Sequence, residues 1–499
     1  MFDKLKRLGA ETAIYGISTV LGRFLNFLLI PFYTNVLSTG EYGVVAYLYA
    51  YIAFLMVVYG YGMESAFFKF ASTLELGDRR QTFSTPFASV LFTSCIFSLL
   101  IDSSSGKIAE VLEIGSGNAI LVQLAAWILF FDAISVIPFA SLRLDRKPLR
   151  FALIRLISVI VNVALNVAFL LYLHSGIIGI FVSGLISSAL TFVLLLPTIF
   201  TNFSFQYLPG IHRELLKFGL PYLPSGLSWM VIQVIDRPIL RALTDDSTVG
   251  IYQANYKLGI FMLLLVNMFD YAWRPFFLTH AYEEGAKRMF ARVLTYFSLA
   301  SAFVVLLLSL FIEDLVKVQL FGRYIIHPNY WGGLSIVPVI LLAHVFSGVY
   351  IIFTPGIYIE KKSYHLPYIV GIGAVINIVL NYLLIPPLGM MGAAYATLLS
   401  FLSMAVALYL VVQRFYRVEY ELGRVAKIAL SLAVVMILYF AGKYFLTGAL
   451  FVVVKLSLVM AFISLMAVFR LFERDEIEFF KTLLARGSST VEPVKPEGE

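Results

Sequence analysis

Fourteen long apolar segments, separated by short polar breaks, run through most of this chain. A helix that crosses a bilayer needs roughly 20 apolar residues, and the segments are of about that length. They lack alternating polarity, which favours helices over a transmembrane β-barrel. Hydrophobic residues make up 60% of the sequence and charged residues only 13%, so we predict an all-α polytopic membrane protein. The predicted spans are 10–36, 43–70, 82–103, 118–142, 148–173, 177–201, 214–241, 248–279, 290–312, 332–358, 364–386, 391–413, 424–446 and 449–470.

Lysine and arginine are concentrated in one of the two alternating sets of breaks. With fourteen spans both termini share a side, and the breaks on that side hold 25 of the 37 Lys and Arg residues. The opposite set holds five. Cytoplasmic loops carry such an excess, so we predict that both termini are cytoplasmic. Topology and contact with membrane lipids then account for the formal charge of +7, without a nucleic-acid partner.

Two asparagine pairs recur at a fixed spacing. "VNVALN" contains Asn162 and Asn166, and "INIVLN", 215 residues later, contains Asn377 and Asn381. The flanking "LDRK" and "IEKK" match at the same offset. Asparagines one helical turn apart share a helix face, so each pair either bonds a neighbouring helix or lines a polar path.

The repeat predicts two similar lobes, and a weaker echo aligns Gly43 with Gly250. Six spans separate the matched elements, so both copies have the same orientation. We expect a pseudo-two-fold axis along the membrane normal, as in rocking transporters. The predicted parts are an N-terminal six-helix lobe (1–205), a C-terminal six-helix lobe (206–418), two additional spans (419–472) and a cytoplasmic tail (473–499).

The sequence lacks the usual signatures of catalysis. It contains neither a Gly-x-x-x-x-Gly-Lys-Ser/Thr phosphate loop nor a His-Glu-x-x-His zinc motif. Cys95 is the only cysteine, which excludes an intrachain disulfide. We therefore predict no enzyme activity, no catalytic residues, no metal and no cofactor. The alternative, a membrane glycosyltransferase or polymerase, would be favoured by carboxylates clustered beside a groove at the outer surface.

Charged residues inside spans are the candidate functional residues, because a central Arg or Lys costs about 2.5–3.5 kcal/mol on insertion scales. Arg23 lies near mid-span with Asn26 on the same face, and it has no carboxylate partner in its own helix. Lys257 lies inside span eight with Gln253 one turn before it. We expect Arg23 to face a central path and to hold an anionic group of the cargo.

Other charges in spans have local explanations. Asp236 and Arg237 lie toward the outer end of span seven, where a salt bridge to another helix is the alternative to binding. Asp270 and Arg274 have the i, i+4 spacing of a local ion pair. Three further residues, Lys69, Arg155 and Lys455, lie near span ends, where we expect them to extend to the interface.

The charges within spans sum to +3, which favours an anionic cargo such as a phosphate, the group that arginine binds with two parallel hydrogen bonds. Span seven begins "FGLPYLPSGLSW", where Pro221 and Pro224 interrupt the helix, as is common at binding sites or bends. The candidate substrate-binding residues are Arg23, Asn26, Asp236, Arg237, Lys257 and Arg274. The candidates for coupling to proton or sodium movement are Glu64, Asp132 and Asp270, and their spacing selects none of them.

The stretches "STVLGRFLNFLLIPFYTNVLSTGEYGVVAYL" (18–48) and "DRPILRALTDDSTVGIYQANYKLG" (236–259) carry a resemblance to known proteins. Together with fourteen spans in two lobes, they resemble Wzx-type polysaccharide biosynthesis flippases of the multidrug/oligosaccharidyl-lipid/polysaccharide exporter superfamily. The resemblance implies a bacterial inner-membrane flippase that moves an undecaprenyl-pyrophosphate-linked oligosaccharide to the periplasmic leaflet. It also implies that Arg23 lines the cavity, that Asp236, Arg237 and Lys257 belong to signature positions, and that glycan polymerase and other polysaccharide assembly proteins are partners.

The alternative within the same superfamily is a cation-coupled multidrug or small-solute antiporter. Its cavity would be dominated by carboxylates and aromatic rings. Convergence of Glu64, Asp132 and Asp270, with Arg23 facing lipid, would favour it.

Overall fold

The protein is described by a computed structural model that covers residues 21–22, 24–25, 27–205, 208–320, 322–443, 448–469 and 471. Within these residues, twelve helical segments are long and apolar enough to cross a membrane, and one bent pair makes a thirteenth. Each overlaps one of the predicted spans from 43–70 onward, which confirms the all-α polytopic fold. The predicted tail 473–499 and, within the predicted span 10–36, residues 10–20, 23 and 26 lie outside the described residues.

Eight helices are described in the N-terminal half. They are α1 (Leu29–Val36), α2 (Thr39–Gly60), α3 (Met63–Thr73), α4 (Arg79–Ser103), α5 (Ser105–Val111), α6 (Ala119–Leu144), α7 (Pro148–Val167) and α8 (Gly176–Asn202). Helix α7 continues as a π-helical turn, Ala168–Tyr172. The start of α2 is fixed by a capping box in which Ser38 and Glu41 satisfy each other's backbone N–H groups.

Twelve helices follow. They are α9 (Pro209–Gly219), α10 (Leu223–Val234), α11 (Asp236–Leu243), α12 (Asp246–Tyr256), α13 (Ile260–His280), α14 (Ala286–Lys317), α15 (Val337–Ile352), α16 (Pro355–Ile359), α17 (His365–Leu388), α18 (Met390–Val412), α19 (Leu422–Lys443) and α20 (Gly448–Val468). Short 3₁₀ segments are Leu220–Tyr222, Lys257–Gly259 and Pro328–Ile336. An antiparallel hairpin, β1 (Gln319–Leu320) and β2 (Arg323–Tyr324), pairs Gln319 with Tyr324 and Leu320 with Arg323.

The seventh span bends further along the chain than Pro221 and Pro224 suggest. Pro221 lies in the 3₁₀ turn between α9 and α10, which together form one segment up to Val234. This segment meets α11 at an angle of 49°. The cause is Pro238, whose ring opposes the carbonyl of Val234 four residues earlier and removes one helical hydrogen bond.

The two halves meet where α2 crosses α12. A Cβ atom added to Gly43 would lie 1.8 Å from the carbonyl oxygen of Asp246, and one added to Gly250 would lie 1.9 Å from that of Thr39. The Thr39 hydroxyl also donates to Ser247 Oγ at 3.1 Å. The two glycine contacts are equivalent under the repeat that aligns Gly43 with Gly250, as a pseudo-two-fold axis between the lobes requires. We call this crossing the glycine clasp.

Both asparagine pairs adopt the same local structure. Asn166 Nδ2 donates to the backbone oxygen and Oδ1 of Asn162 at 2.8 and 3.1 Å. Asn381 does the same toward Asn377 at 2.8 and 3.0 Å. Only the first pair also bonds another helix within the described residues, because the hydroxyl of Tyr33 on α1 donates to Asn166 Oδ1 at 2.9 Å. Of the two alternatives, bonding a neighbouring helix is therefore confirmed for the first pair, whereas the second pair makes no such bond within the described residues.

Contacts divide the chain into two compact units. Within the described residues, the first comprises the chain up to Glu284 together with Glu313–Arg417, and the second comprises Gly285–Ile312 together with the chain from Val418 onward. Most of α14 therefore groups with α19 and α20, whereas the predicted lobe boundaries at 205 and 418 stay a prediction. In the second unit, Lys455 is 1% exposed and its Nζ lies 4.6 Å from the Phe451 ring centroid, so the expectation that it extends to the interface was wrong.

Candidate substrate cavity

Two adjoining cavities lie in the first unit, between helices of the N-terminal half and residues of the C-terminal half. The lysine chamber, of about 440 Å³, is lined in part by Tyr33, Tyr42, Asn162, Gln253 and Lys257. The arginine chamber, of about 670 Å³, is lined in part by Glu64, Phe139, Arg143, Phe151 and Tyr271. The chambers adjoin because three residues line both, namely Asp132, Arg155 and Thr191.

The C-terminal half contributes a cation, Lys257, to the wall of the lysine chamber. Lys257 follows the last turn of α12, and Gln253 lies one turn earlier on the same wall, as the sequence predicted. Its Nζ lies 5.7 Å from the Tyr33 ring centroid and 5.6 Å from that of Tyr42, within the range of a cation–π interaction. Among the described residues it has no carboxylate within ion-pair distance, so its charge is available to a ligand.

Asp132 on α6 and Arg155 on α7 form the wall that the chambers share. Arg155 and Asp132 interact electrostatically across this wall. The Arg155 guanidinium lies 4.5 Å from the Phe139 ring centroid and 5.8 Å from that of Phe151. The structure thus places Arg155 at the chambers, contrary to the expectation that it only extends to the membrane interface.

The arginine chamber contains a second pair of opposite charges. Glu64 at the start of α3 forms an ion pair with Arg143 at the end of α6. The Arg143 guanidinium also lies 4.8 Å from the Phe68 ring centroid. Since both side chains are more than one-third exposed, this pair contributes little to stability, but it neutralises a carboxylate at the chamber wall.

Asp236 and Arg237 form a buried network that does not line either chamber. Arg237 donates to Asp236 Oδ1 and to the Gln233 carbonyl, both at 2.6 Å, and the Tyr252 hydroxyl donates to Asp236 Oδ2 at 2.6 Å. The guanidinium lies 4.1 Å from the Tyr256 ring centroid. Arg237 therefore forms a salt bridge, as one of the two alternatives predicted, but its partner is the adjacent residue Asp236 rather than a residue of another helix.

Asp270 and Arg274 form the predicted local ion pair, with Arg274 Nε 2.9 Å from Asp270 Oδ1. Neither residue lines the two chambers, although Tyr271 between them lines the arginine chamber. Arg23 and Asn26 lie outside the described residues, so their predicted role stays a prediction.

Sequence reasoning left Asn162 open as a residue that lines a polar path, and it missed the chamber positions of Ser158, Arg155 and Arg143. Arg155, Ser158 and Asn162 are spaced three and four residues apart on α7, and all three line the lysine chamber. This spacing marks a polar stripe along one face of an apolar helix, a signal that was present in the sequence. Glu64 and Arg143, by contrast, are 79 residues apart, and nothing local indicates that they meet.

A cation-bearing cavity between two repeated halves of a helical membrane protein is typical of a transporter-like architecture. The sequence over residues 8–279 matches the family model described as "Polysaccharide biosynthesis protein". This match covers more than half of the chain, and the protein belongs to that family. No curated protein matches the sequence.

Solved structures show the same fold. The lipid II flippase MurJ in an inward closed conformation is similar with a TM-score of 0.70 at 18% identity, over 92% of this chain and 98% of that chain. An inward-facing multidrug resistance MATE family transporter of the MOP superfamily has a TM-score of 0.61 at 13% identity, over 79% and 94%. The Vibrio cholerae MATE transporter VcmN, as a variant, has a TM-score of 0.59 at 14% identity, over 83% and 97%.

Proposed function

We propose that this protein is a flippase of the Wzx type. It carries an undecaprenyl-pyrophosphate-linked oligosaccharide from the cytoplasmic to the periplasmic leaflet of a bacterial inner membrane, with both of its own termini in the cytoplasm. Membership of a polysaccharide biosynthesis family and the fold shared with a lipid II flippase support this proposal. Its other partners in this proposal are membrane lipids, a glycan polymerase and other polysaccharide assembly proteins.

The observation that carries the proposal is Lys257, a lysine without a carboxylate partner among the described residues, in a chamber that Arg155 also lines. The bilayer core rejects a pyrophosphate, whereas a protected cation stabilises it. The lipid tail can stay in the bilayer while the two lobes shelter the polar head and rock to exchange access. Transport of this kind breaks no bond, so the protein is not an enzyme in this proposal.

The proposal is tested by deleting the gene in its native host and restoring it on a plasmid as wild type, Lys257→Ala or Lys107→Ala. Lys107 is an exposed residue of α5 outside both chambers, and it controls for the loss of one positive charge. We expect the deletion and Lys257→Ala to retain lipid-linked glycan in the cytoplasmic leaflet, and Lys107→Ala to export normally. Surface glycans unaffected by deletion would refute the flippase assignment. Normal export by abundant Lys257→Ala protein would remove Lys257 from the mechanism.

One observation favours the antiporter alternative, because Glu64 and Asp132 both line the arginine chamber. Each of these carboxylates, however, faces an arginine, and Asp270 lines neither chamber. Ethidium efflux from cells separates the two functions. Efflux that requires Glu64 and leaves lipid-linked glycan unaffected would support the antiporter.

A further inference from the structure

We propose that Asn162 and Gln253 present their amide NH₂ groups, together with the Lys257 ammonium, to a phosphate-type oxyanion in the lysine chamber. Arg237 and Asn166 act as positioning residues that hold these two amides in the required orientation. This inference rests on the proposed function for the identity of the cargo, in which the oxyanion is the pyrophosphate. The site itself follows from hydrogen-bond geometry.

The orientation of Gln253 is dictated by Arg237. Arg237 Nε lies 3.1 Å from Gln253 Oε1. A guanidinium has five donors and no acceptor, so the atom of Gln253 that faces it must be the oxygen. The NH₂ group of Gln253 is therefore left for the chamber that this residue lines.

Arg237 cannot readily turn away from Gln253. Its NH1 is held by Asp236 and by the Gln233 carbonyl, and Asp236 is held in turn by the Tyr252 hydroxyl. The Arg237 side chain is 6% exposed and that of Asp236 1%, so removing one partner would strand a buried charge. The network that was predicted to bind substrate directly is thus placed to act through Gln253.

Asn162 is oriented by the same logic. A backbone carbonyl can only accept, so Asn166 must turn its Nδ2 toward the Asn162 carbonyl. Its Oδ1 then accepts from Tyr33, and its Nδ2 also reaches Oδ1 of Asn162. This leaves the Nδ2 of Asn162 in the lysine chamber, without a hydrogen-bond partner among the residues that the structure describes.

The second asparagine pair shows that the chamber, rather than the repeat, gives Asn162 this role. Asn377 and Asn381 have the same mutual bonds, yet both are 0% exposed and line neither chamber. The duplicated motif therefore forms a ligand-facing amide in one half only.

The donors in the chamber select the chemistry of the ligand. Three of the four serine and threonine hydroxyls of the wall are already committed, since Ser158, Ser187 and Thr191 donate to backbone carbonyls. Tyr42 Oη is buried without a hydrogen-bond partner in the described part of the chain, and it adds a hydroxyl that can donate. An ammonium and two amide NH₂ groups that face the chamber match a ligand group that only accepts hydrogen bonds, such as a phosphate oxygen. A neutral sugar hydroxyl matches this set poorly, and Asp132, the carboxylate that also lines the chamber, interacts with Arg155.

The site is tested on purified full-length protein in detergent, with inorganic pyrophosphate as the probe and isothermal titration calorimetry as the readout. Gln253→Glu and Asn162→Asp keep the shape of each side chain but replace the donor with a carboxylate oxygen. Because a hydrogen bond to a charged group contributes about 1.5–3 kcal/mol, each change should weaken pyrophosphate binding roughly tenfold to hundredfold. Gln319→Glu, an exposed position on β1, makes the same charge change outside the chambers and should bind as wild type.

The melting temperature of each variant shows whether it folds, and Gln253→Glu should fold because Arg237 gains a carboxylate partner. The positioning role of Arg237 is tested with Arg237→Lys, which keeps the charge beside Asp236 but loses the bond to Gln253. It should weaken pyrophosphate binding in the wild-type background and have no further effect in Gln253→Ala protein. A merely structural role would weaken binding equally in both backgrounds and would overturn this part of the proposal.

Wild-type affinity in both Gln253→Glu and Asn162→Asp, or no binding to wild-type protein at about 10 mM pyrophosphate, would overturn the site. Failure of the proposed function has a different signature. Amide-dependent pyrophosphate binding by a protein whose deletion changes no surface glycan would support the site and refute the flippase assignment.

Discussion

Substituting one glycine of the clasp should open the contact between the two halves. In Gly43→Ala, the new Cβ would lie 1.8 Å from the Asp246 carbonyl oxygen, where a carbon and an oxygen need more than 3 Å. The obstacle is backbone rather than a flexible side-chain end, so it cannot rotate away. Helices α2 and α12 must therefore separate by more than 1 Å, or one of them must bend.

The cost of this separation follows from the behaviour of overpacked sites. Added methyl groups in well-packed cores destabilise proteins by about 1–3 kcal/mol. Replacing a helical glycine by alanine offsets roughly 0.5–1 kcal/mol of this destabilisation, because alanine makes the unfolded chain less flexible. We therefore expect Gly43→Ala to destabilise the state in which the clasp is closed by about 1–2 kcal/mol. Gly250→Ala should behave alike, because its Cβ would meet the Thr39 carbonyl at 1.9 Å.

The measurement is disulfide formation across the clasp. Thr39 Oγ1 and Ser247 Oγ are 3.1 Å apart, so cysteines at these positions, in a Cys95→Ser background, should cross-link under mild oxidation in native membranes. Adding Gly43→Ala should lower the cross-linked fraction and the melting temperature in detergent. Gly60→Ala is the matched control, because Gly60 also lies on α2 and its Cβ would meet nothing within 4 Å.

Full cross-linking and an unchanged melting temperature in Gly43→Ala would refute the reasoning. They would mean that the backbones of α2 and α12 do not approach each other as closely as the glycine contacts require. Equal losses in Gly43→Ala and Gly60→Ala would also refute it, since they would reflect helix composition rather than the crossing.

Two further predictions concern topology and the asparagines. In Cys95→Ser protein, cysteines at 175 and 387 should react with an impermeant thiol reagent from outside and those at 147 and 362 should not; reversed labelling would contradict the predicted orientation. Asn166→Ala should lower stability by roughly 0.5–2 kcal/mol, because it strands the buried Tyr33 hydroxyl, whereas Asn381→Ala should cost less because it breaks bonds within one helix only. Equal melting temperatures for the two variants in detergent would contradict this difference.

Features that depend on local periodicity were predictable from the sequence. The predicted spans overlap the observed segments because hydrophobic length is set by the bilayer. The ion pair of Asp270 with Arg274 and the common wall of Gln253 and Lys257 follow from helical spacing alone. The internal repeat also indicated a tertiary contact, since Gly43 and Gly250, which it aligns, make the two reciprocal contacts of the clasp.

Features that depend on which face of a helix meets which neighbour were not predictable in the same way. The position of Arg155 near a span end was consistent with extension to the interface, but only the packing of α7 against α6 places it beside Phe139 and Asp132. Pro221 and Pro224 interrupt the start of the seventh span in the sequence, but the 49° bend lies further along, beside Pro238. Arg23 lies outside the described residues, so its predicted role stays a prediction.

The two helices of the clasp, α2 and α12, also contribute to the proposed anion site, together with α7 and the 3₁₀ turn that follows α12. Lys257 and Gln253 belong to the C-terminal half, whereas Asn162 and Tyr42 belong to the N-terminal half, so the donors converge only while α2 and α12 stay together. Gly43 itself does not line the lysine chamber. If the closed clasp is the state that binds pyrophosphate, a cost of about 1–2 kcal/mol on that state should lower the apparent affinity, by at most roughly 5- to 30-fold. Gly43→Ala should therefore weaken pyrophosphate binding, and a disulfide between cysteines at 39 and 247 should restore it. Unchanged affinity in a variant that has lost the cross-link would show that the site does not require both halves.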